Sequence, residues 1–175
     1  MTMQLIQHQE LGSAQASITF SSIPQTYTDL FIVACLRSSR ASGNDDGTIL
    51  SFNSSTSNRS GRALFGVGSG SPFSFSESTI RAGSIPISLS TANTFGNMGI
   101  YIPNYTAAVA KSVSVDGVME NNATYAAAGI IAGLWNDTAA ITSVTISSEV
   151  ATLVQYSSAT LYGILKGSDG VTTVS

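Results

Sequence analysis

Short runs rich in Val, Ile, Phe, Tyr and Thr alternate with clusters of Gly, Asn, Ser and Asp along the 175 residues of the chain. This pattern predicts many short β-strands, and helical periodicity is nearly absent. The clearest runs alternate apolar residues with hydroxyl-bearing ones, which places one side of each strand in a core and the other in solvent. These runs are residues 16–20, 111–115 and 141–146.

Further strands are predicted where the same residue types recur between turn clusters. They are residues 4–10, 48–52, 63–67, 80–87, 98–102, 127–135 and 158–165. Residues 30–36 are apolar on both sides, so this strand is expected to lie centrally or to be covered on its second side by another subunit. Cys35 is therefore expected to be a small buried core residue rather than a reactive thiol. Residues 123–133 are rich in alanine, which favours a helix, but two glycines in the segment oppose one.

About ten strands in a chain of this length predict one all-β domain. The expected fold is an antiparallel two-sheet β-sandwich resembling a jelly roll, and an immunoglobulin-like sandwich is the alternative. Residues 1–166 are assigned to this domain, and the small polar residues 167–175 to a C-terminal extension.

Only 10% of the residues are charged, whereas 43% are hydrophobic. A surface with so little charge suits a protein held in an assembly, where neighbouring copies cover part of it. The net charge of −3 offers no basic patch for nucleic acid. No signal peptide is predicted, because residues 1–5 lack a basic n-region and a long apolar h-region. No membrane span is predicted, because no uninterrupted stretch of 18 apolar residues occurs.

The sequence lacks the parts that most catalytic sites need. His8 is the single histidine, so a Ser-His or Cys-His pair would have to be built near the N-terminus. Residues 43–47 resemble a fragment of a calcium loop but lack its alternating acidic spacing, and residues 66–70 lack the context of a phosphate-binding loop. We therefore expect a non-enzymatic protein without a cofactor or metal.

Aromatic and apolar residues are the candidate contact positions. Phe31, Val33, Tyr101 and Trp135 are expected to be interface or packing anchors. Tyr105, which follows a turn at Pro103 and Asn104, is the candidate for exposure, and Asn104 and Tyr105 are the candidate contacts to a glycan.

Ordered sequence blocks carry a resemblance to a family of virion-surface proteins of tailed bacteriophages. They lie at residues 11–14, 18–24, 27–30, 37–41, 52–53, 91–96, 100–105, 120–124, 133–135 and 158–164, and include Ile-Tyr-Ile-Pro-Asn-Tyr at 100–105. The resemblance implies a structural role on the outer head surface, as a capsid decoration or head-fibre protein. The alternative is a tail-fibre protein that binds a host-surface glycan. The implied partners are the major capsid protein and copies of the chain itself, expected as a homotrimer by analogy with the threefold positions of a capsid.

Overall fold

The structure, a computed structural model, describes residues 2–68, 70–122 and 125–165. The predicted C-terminal extension, residues 167–175, lies outside the described residues. The described part contains twelve β-strands and no helix, and so no helix that could span a membrane. The strands are β1 (Thr2–Glu10), β2 (Ser17–Phe20), β3 (Asp29–Leu36), β4 (Asp46–Phe52), β5 (Arg59–Val67), β6 (Phe73–Glu77), β7 (Ile80–Ile85), β8 (Gly96–Ile102), β9 (Lys111–Met119), β10 (Ala127–Trp135), β11 (Val144–Ser148) and β12 (Ser158–Leu165).

The strands form two antiparallel sheets, which confirms the predicted sandwich. The larger sheet has eight strands in the order β1-β12-β3-β8-β9-β10-β5-β6, and the smaller has four in the order β2-β11-β4-β7. Consecutive segments of the chain cross between the sheets: β2, β4, β7 and β11 belong to the small sheet, and the strands between them to the large one. The orders β1-β12-β3-β8 and β2-β11-β4-β7 are those of the two four-stranded sheets of a jelly roll, and β9, β10, β5 and β6 extend the larger sheet on one side.

The predicted strands are all present, with ends displaced by a few residues. Residues 127–133 of the alanine-rich segment belong to strand β10, in which every second residue from Ala127 to Trp135 faces the core. Strand β6 was not predicted, since Phe73 and Phe75 are its only apolar residues and two positions are too few to reveal an alternation.

The core lies between the two sheets and follows the period-two alternation of the strands. Strands β9 and β10 alternate buried and exposed residues over their full lengths. The same rule corrects the expectation for Cys35. Leu30, Ile32, Ala34 and Leu36 point inward, so Cys35 points away from the core and is exposed. Partial burial by its neighbours nevertheless raises the pKa of the Cys35 thiol.

The large sheet extends beyond the small one at both edges. At one edge, side chains of β1 reach to the open backbone of β2. The amide nitrogen Nε2 of Gln7 donates to the Ser21 carbonyl at 3.0 Å, and that of Gln9 donates to the Thr19 carbonyl at 2.6 Å. These bonds satisfy carbonyl groups of an edge strand and close this side of the sandwich.

Lys111 is a fully buried cation at the start of β9, with 1% of its surface exposed. Its ammonium group donates to the carbonyls of Ala107 at 2.8 Å, Val109 at 2.7 Å and Ala139 at 2.7 Å. It also lies 5.7 Å from the ring centroid of Trp135. Desolvation lowers the pKa of Lys111, and the charge of Asp137 opposes that shift. One side chain thus holds together the two loops that flank β9 and β10.

Replacing Lys111 by methionine should destabilise the fold, because several buried carbonyls lose their donor at once. We expect Lys111→Met to lower the free energy of unfolding by about 3 kcal/mol in urea denaturation. Arg62→Met, on the exposed side of β5, is the matched control and should change it by less than about 0.5 kcal/mol. Equal stability of the two variants would contradict a structural role for the ammonium group.

Candidate binding surfaces

The side of the large sheet that faces away from the small sheet is called here the outer face. Strand register places Val33, Gly99, Asp116, Ile130 and Leu64 next to one another in one row across this face. Side chains in such a row lie within contact distance of their neighbours on adjacent strands. The outer face therefore carries apolar and charged residues side by side.

On strands β5, β9 and β10 of the outer face, three large apolar side chains are more than half exposed. Leu64 is 53% exposed, Val118 is 53% exposed and Ile130 is 67% exposed. These three residues, called here the outer apolar patch, line a shallow groove together with the small residues Gly66 and Ala128. Because Gly66 and Ala128 have little or no side chain, a partner could approach the backbone of β5 and β10 closely at this groove.

Two charged residues flank the outer apolar patch. Asp116 lies directly opposite Ile130, and Arg62 lies two positions from Leu64 on β5. Neither Arg62 nor Asp116 forms an ion pair within the part of the chain that the structure describes. One face thus supplies an unpaired charge of each sign.

The predicted anchors divide between the outer face and the core. Phe31, Val33 and Tyr101 lie on the outer face, where Phe31 pairs across strands with Tyr101 and Val33 is 40% exposed. Trp135 does not join them. It is 2% exposed and packs on Phe52 with ring centroids 5.6 Å apart, so it is a core residue rather than an interface anchor.

Asp29 fixes Tyr101 and the following turn. One carboxylate oxygen of Asp29 accepts a hydrogen bond from the Tyr101 hydroxyl at 2.9 Å, and the other accepts from the backbone N–H of Asn104 at 2.8 Å. Desolvation and the Asp29 carboxylate raise the pKa of Tyr101. The hydroxyl of Tyr101 is thus already engaged within the chain.

The two candidate glycan contacts, Asn104 and Tyr105, are neighbours in sequence but point in opposite directions. Asn104 is exposed and adopts a left-handed conformation with φ of 49°. This conformation turns the chain sharply, and Tyr105 points into the core with 0% exposure. The hydroxyl of Tyr105 donates to the carbonyl of Pro24, and burial raises the pKa of the group. The expectation that Tyr105 is exposed and contacts a glycan is therefore wrong.

A cleft that the sequence did not reveal lies where β5 and β6 extend beyond the small sheet. Its floor is formed by Phe65, Phe73 and Phe75. The ring centroids are 5.9, 5.9 and 6.0 Å apart, and the ring planes differ by 5° to 21°. Three rings stacked in a column would have one much longer separation. The three near-parallel rings are instead offset from one another and form one stacked cluster, called here the aromatic platform.

Polar side chains from both sheets and their loops surround the platform. Besides the three phenylalanines, the cleft of about 250 Å³ is lined by Arg40, Asp45, Gly47, Arg81, Ser84, Tyr125 and Glu149. Arg81 lies 5.5 Å from the ring centroid of Phe75. Its guanidinium forms ion pairs of 3.0 Å with Glu77 and 3.0 Å with Glu149.

The polar side chains around the platform include two arginines, Arg40 and Arg81, and two acidic residues, Asp45 and Glu149. Burial acts to lower the pKa of Arg81, but its bonds to Glu77 and Glu149 raise it overall. Arg40 donates to the Asp45 carbonyl at 2.9 Å and leaves its buried Nε–H without an acceptor among the described residues. The aromatic platform and the polar side chains around it are together called the aromatic cleft.

Two glycines make room for the aromatic cleft. A Cβ atom on Gly129 would lie 2.4 Å from Cε1 of Phe65, so the Phe65 ring rests directly on the backbone of β10. A Cβ atom on Gly47 would lie 1.7 Å from a guanidinium nitrogen of Arg81. Neither arrangement could form with a larger residue in the same place.

The candidate catalytic and metal residues do not converge. Within the described ranges, no group of three or more His, Cys, Asp or Glu residues could hold a metal ion. His8 lies on the exposed side of β1 beside Thr160, with 2.8 Å between Nδ1 and Oγ1. In the loop that resembled a calcium site, Asp46 is buried and accepts hydrogen bonds of 2.6 Å from both Ser38 and Ser148.

The chain was compared with known proteins by sequence and by structure. No family model, curated protein or solved structure matches it. The resemblance to virion-surface proteins thus stays a prediction from the sequence blocks.

The contact between Phe65 and Gly129 can be tested by adding one methyl group. We expect Gly129→Ala to lower the free energy of unfolding by about 1 to 3 kcal/mol, because the methyl group overlaps the Phe65 ring. Gly66→Ala, on the outer face of the paired strand, has no atom within 4 Å of the new Cβ and should change it by less than about 0.5 kcal/mol. Chemical denaturation measures both values. A neutral effect of Gly129→Ala would show that the ring does not rest on the glycine.

Proposed function

We propose that this chain is a non-enzymatic structural protein of a tailed-phage virion, which decorates the outer head surface and associates through its outer face. The observation that carries the assembly role is the outer apolar patch, Leu64, Val118 and Ile130, which no other part of the described chain covers. Exposed apolar groups gathered in this way are typical of protein docking sites. The location on a phage head rests on the resemblance of the sequence blocks.

A second copy of the chain is the partner that suits the outer face best. Arg62 and Asp116 flank the patch without ion-pair partners in the described part of the chain, so another copy of the same face offers a counter-charge to each. The low overall charge, 10% of residues, agrees with a surface that neighbours cover. The homotrimer stays a prediction, since the complementarity of the face does not determine the number of copies.

Several charged and polar side chains of types found in catalytic sites form hydrogen bonds within the chain. Lys111 holds loop carbonyls, Asp29 binds Tyr101 and the Asn104 backbone, and Asp46 accepts from two serines. These uses support a structural role over a catalytic one.

The assembly role predicts that one charge in the outer apolar patch weakens self-association. We expect wild-type protein at micromolar concentration to have a mass above that of one chain, and Ile130→Lys to weaken association roughly tenfold or more. Ile130 is 67% exposed, and Leu89 is 68% exposed in a loop away from the outer face, so Leu89→Lys is the matched control. Size-exclusion chromatography with light scattering gives the masses.

A wild-type monomer would contradict self-association through this face, and so would equal effects of the two lysine variants. A dimer would retain the interface but overturn the predicted trimer. The position on the virion needs a separate measurement, which is cryo-electron microscopy of the particle. Many copies spread over the head would support decoration, whereas a few copies at the tail tip would favour an adsorption protein.

The adsorption role is the second candidate, and the aromatic cleft favours it. Stacked aromatic rings beside hydrogen-bonding groups of both kinds are suited to a sugar.

A further inference from the structure

We propose that the aromatic cleft binds one pyranose ring of an uncharged glycan. The phenylalanine platform would stack on the apolar face of the sugar, and the polar rim would bind its hydroxyl groups. This inference does not rest on the assembly role, because the cleft and the outer face lie on opposite sides of the large sheet.

The platform is open where the small sheet ends. Strand β7 is the last strand of that sheet, and β6 is the last strand of the larger one beyond it. Phe73 on β6 is consequently 43% exposed, whereas Phe65 on β5 is 3% exposed. A ligand would therefore stack on Phe73, because Arg81 already lies over the ring of Phe75.

The rim offers donors and acceptors on different side chains. The guanidinium of Arg40 lines the cleft and donates to the Asp45 carbonyl at 2.9 Å, and the side chain of Glu149 is 41% exposed while it pairs with Arg81. A sugar carries several hydroxyl groups that both donate and accept, so different hydroxyls can accept from Arg40 and donate to Glu149. A purely apolar ligand would displace water from the exposed part of Glu149 without offering the carboxylate a donor in exchange.

Charge and size narrow the class of sugar. Arg40 and Arg81 are offset in the cleft by Asp45 and Glu149, with Glu77 as a further ion partner of Arg81. This balance gives no net attraction to an anion, which favours an uncharged sugar over an acidic one. The volume of about 250 Å³ is below the usual range for drug-sized ligands and suits one sugar ring with the rest of the chain in solvent.

The test uses the purified full chain with methyl glycosides of glucose, galactose, mannose and N-acetylglucosamine, and with methyl glucuronide as the acidic probe. Saturation-transfer and titration NMR measure binding of each. We expect at least one uncharged glycoside to bind and Phe73→Ala to weaken it roughly tenfold. Leu64→Ala is the matched control, since Leu64 is 53% exposed on the opposite side of the neighbouring strand.

A second variant guards against a loss of folding in Phe73→Ala. Glu149→Gln keeps the shape of the side chain and should weaken binding severalfold, while a thermal melt reports whether each variant is folded. Absence of binding by all four uncharged glycosides would overturn the proposal. Preference for the glucuronide, or binding unchanged in both Phe73→Ala and Glu149→Gln, would overturn it as well. Ile130→Lys should bind the glycosides like the wild type. The proposal of glycan binding in the cleft and the proposal of self-association through the outer face are thus tested independently.

Discussion

A sheet of four strands packed on a sheet of eight leaves part of the larger sheet without a cover, and much of this structure follows from that mismatch in width. At the β1 edge, Gln7 and Gln9 bond to the backbone of β2 and close the gap. At the β6 edge, Arg81 on β7 bonds to Glu77 at the end of β6, and the inner side of β5 and β6 that the small sheet leaves uncovered becomes the aromatic cleft. The outer face has no second layer at all in the described part of the chain, so its apolar residues remain exposed.

Charged residues are few, and several of them organise the loops from inside. Lys111 gathers carbonyls from two loops, and the guanidinium of Arg37 donates to the carbonyls of Ser90, Thr91 and Thr94. A cation with several donors can satisfy several carbonyl groups at once, which an apolar residue cannot do. Loops that would otherwise carry unpaired backbone groups are thereby held in place without helices.

The two candidate surfaces can serve one protein at the same time. The outer apolar patch lies on β5, β9 and β10, whereas the platform of Phe65, Phe73 and Phe75 is on the opposite side of β5 and β6. An assembly that covers the outer face would leave the aromatic cleft accessible.

Period-two alternation and turn residues sufficed to predict the sandwich, because each strand carries its own pattern of buried and exposed positions. The alternation also decides which side a residue takes, but not whether a second layer covers that side. Cys35 was therefore expected in the core, although it lies on the uncovered side of β3. Tyr105 was expected outside, although the left-handed turn at Asn104 directs it inward.

The aromatic cleft depends on contacts between residues distant in sequence, such as Phe65 with Gly129 and Arg81 with Gly47 and Glu149. No local pattern encodes those distances, since they arise only when β6 pairs with β5 and the small sheet ends at β7. The sequence alone thus determined the fold class and the strands that form it. The tertiary structure decided which faces are covered, because coverage depends on the relative widths of two sheets whose strands come from the whole chain.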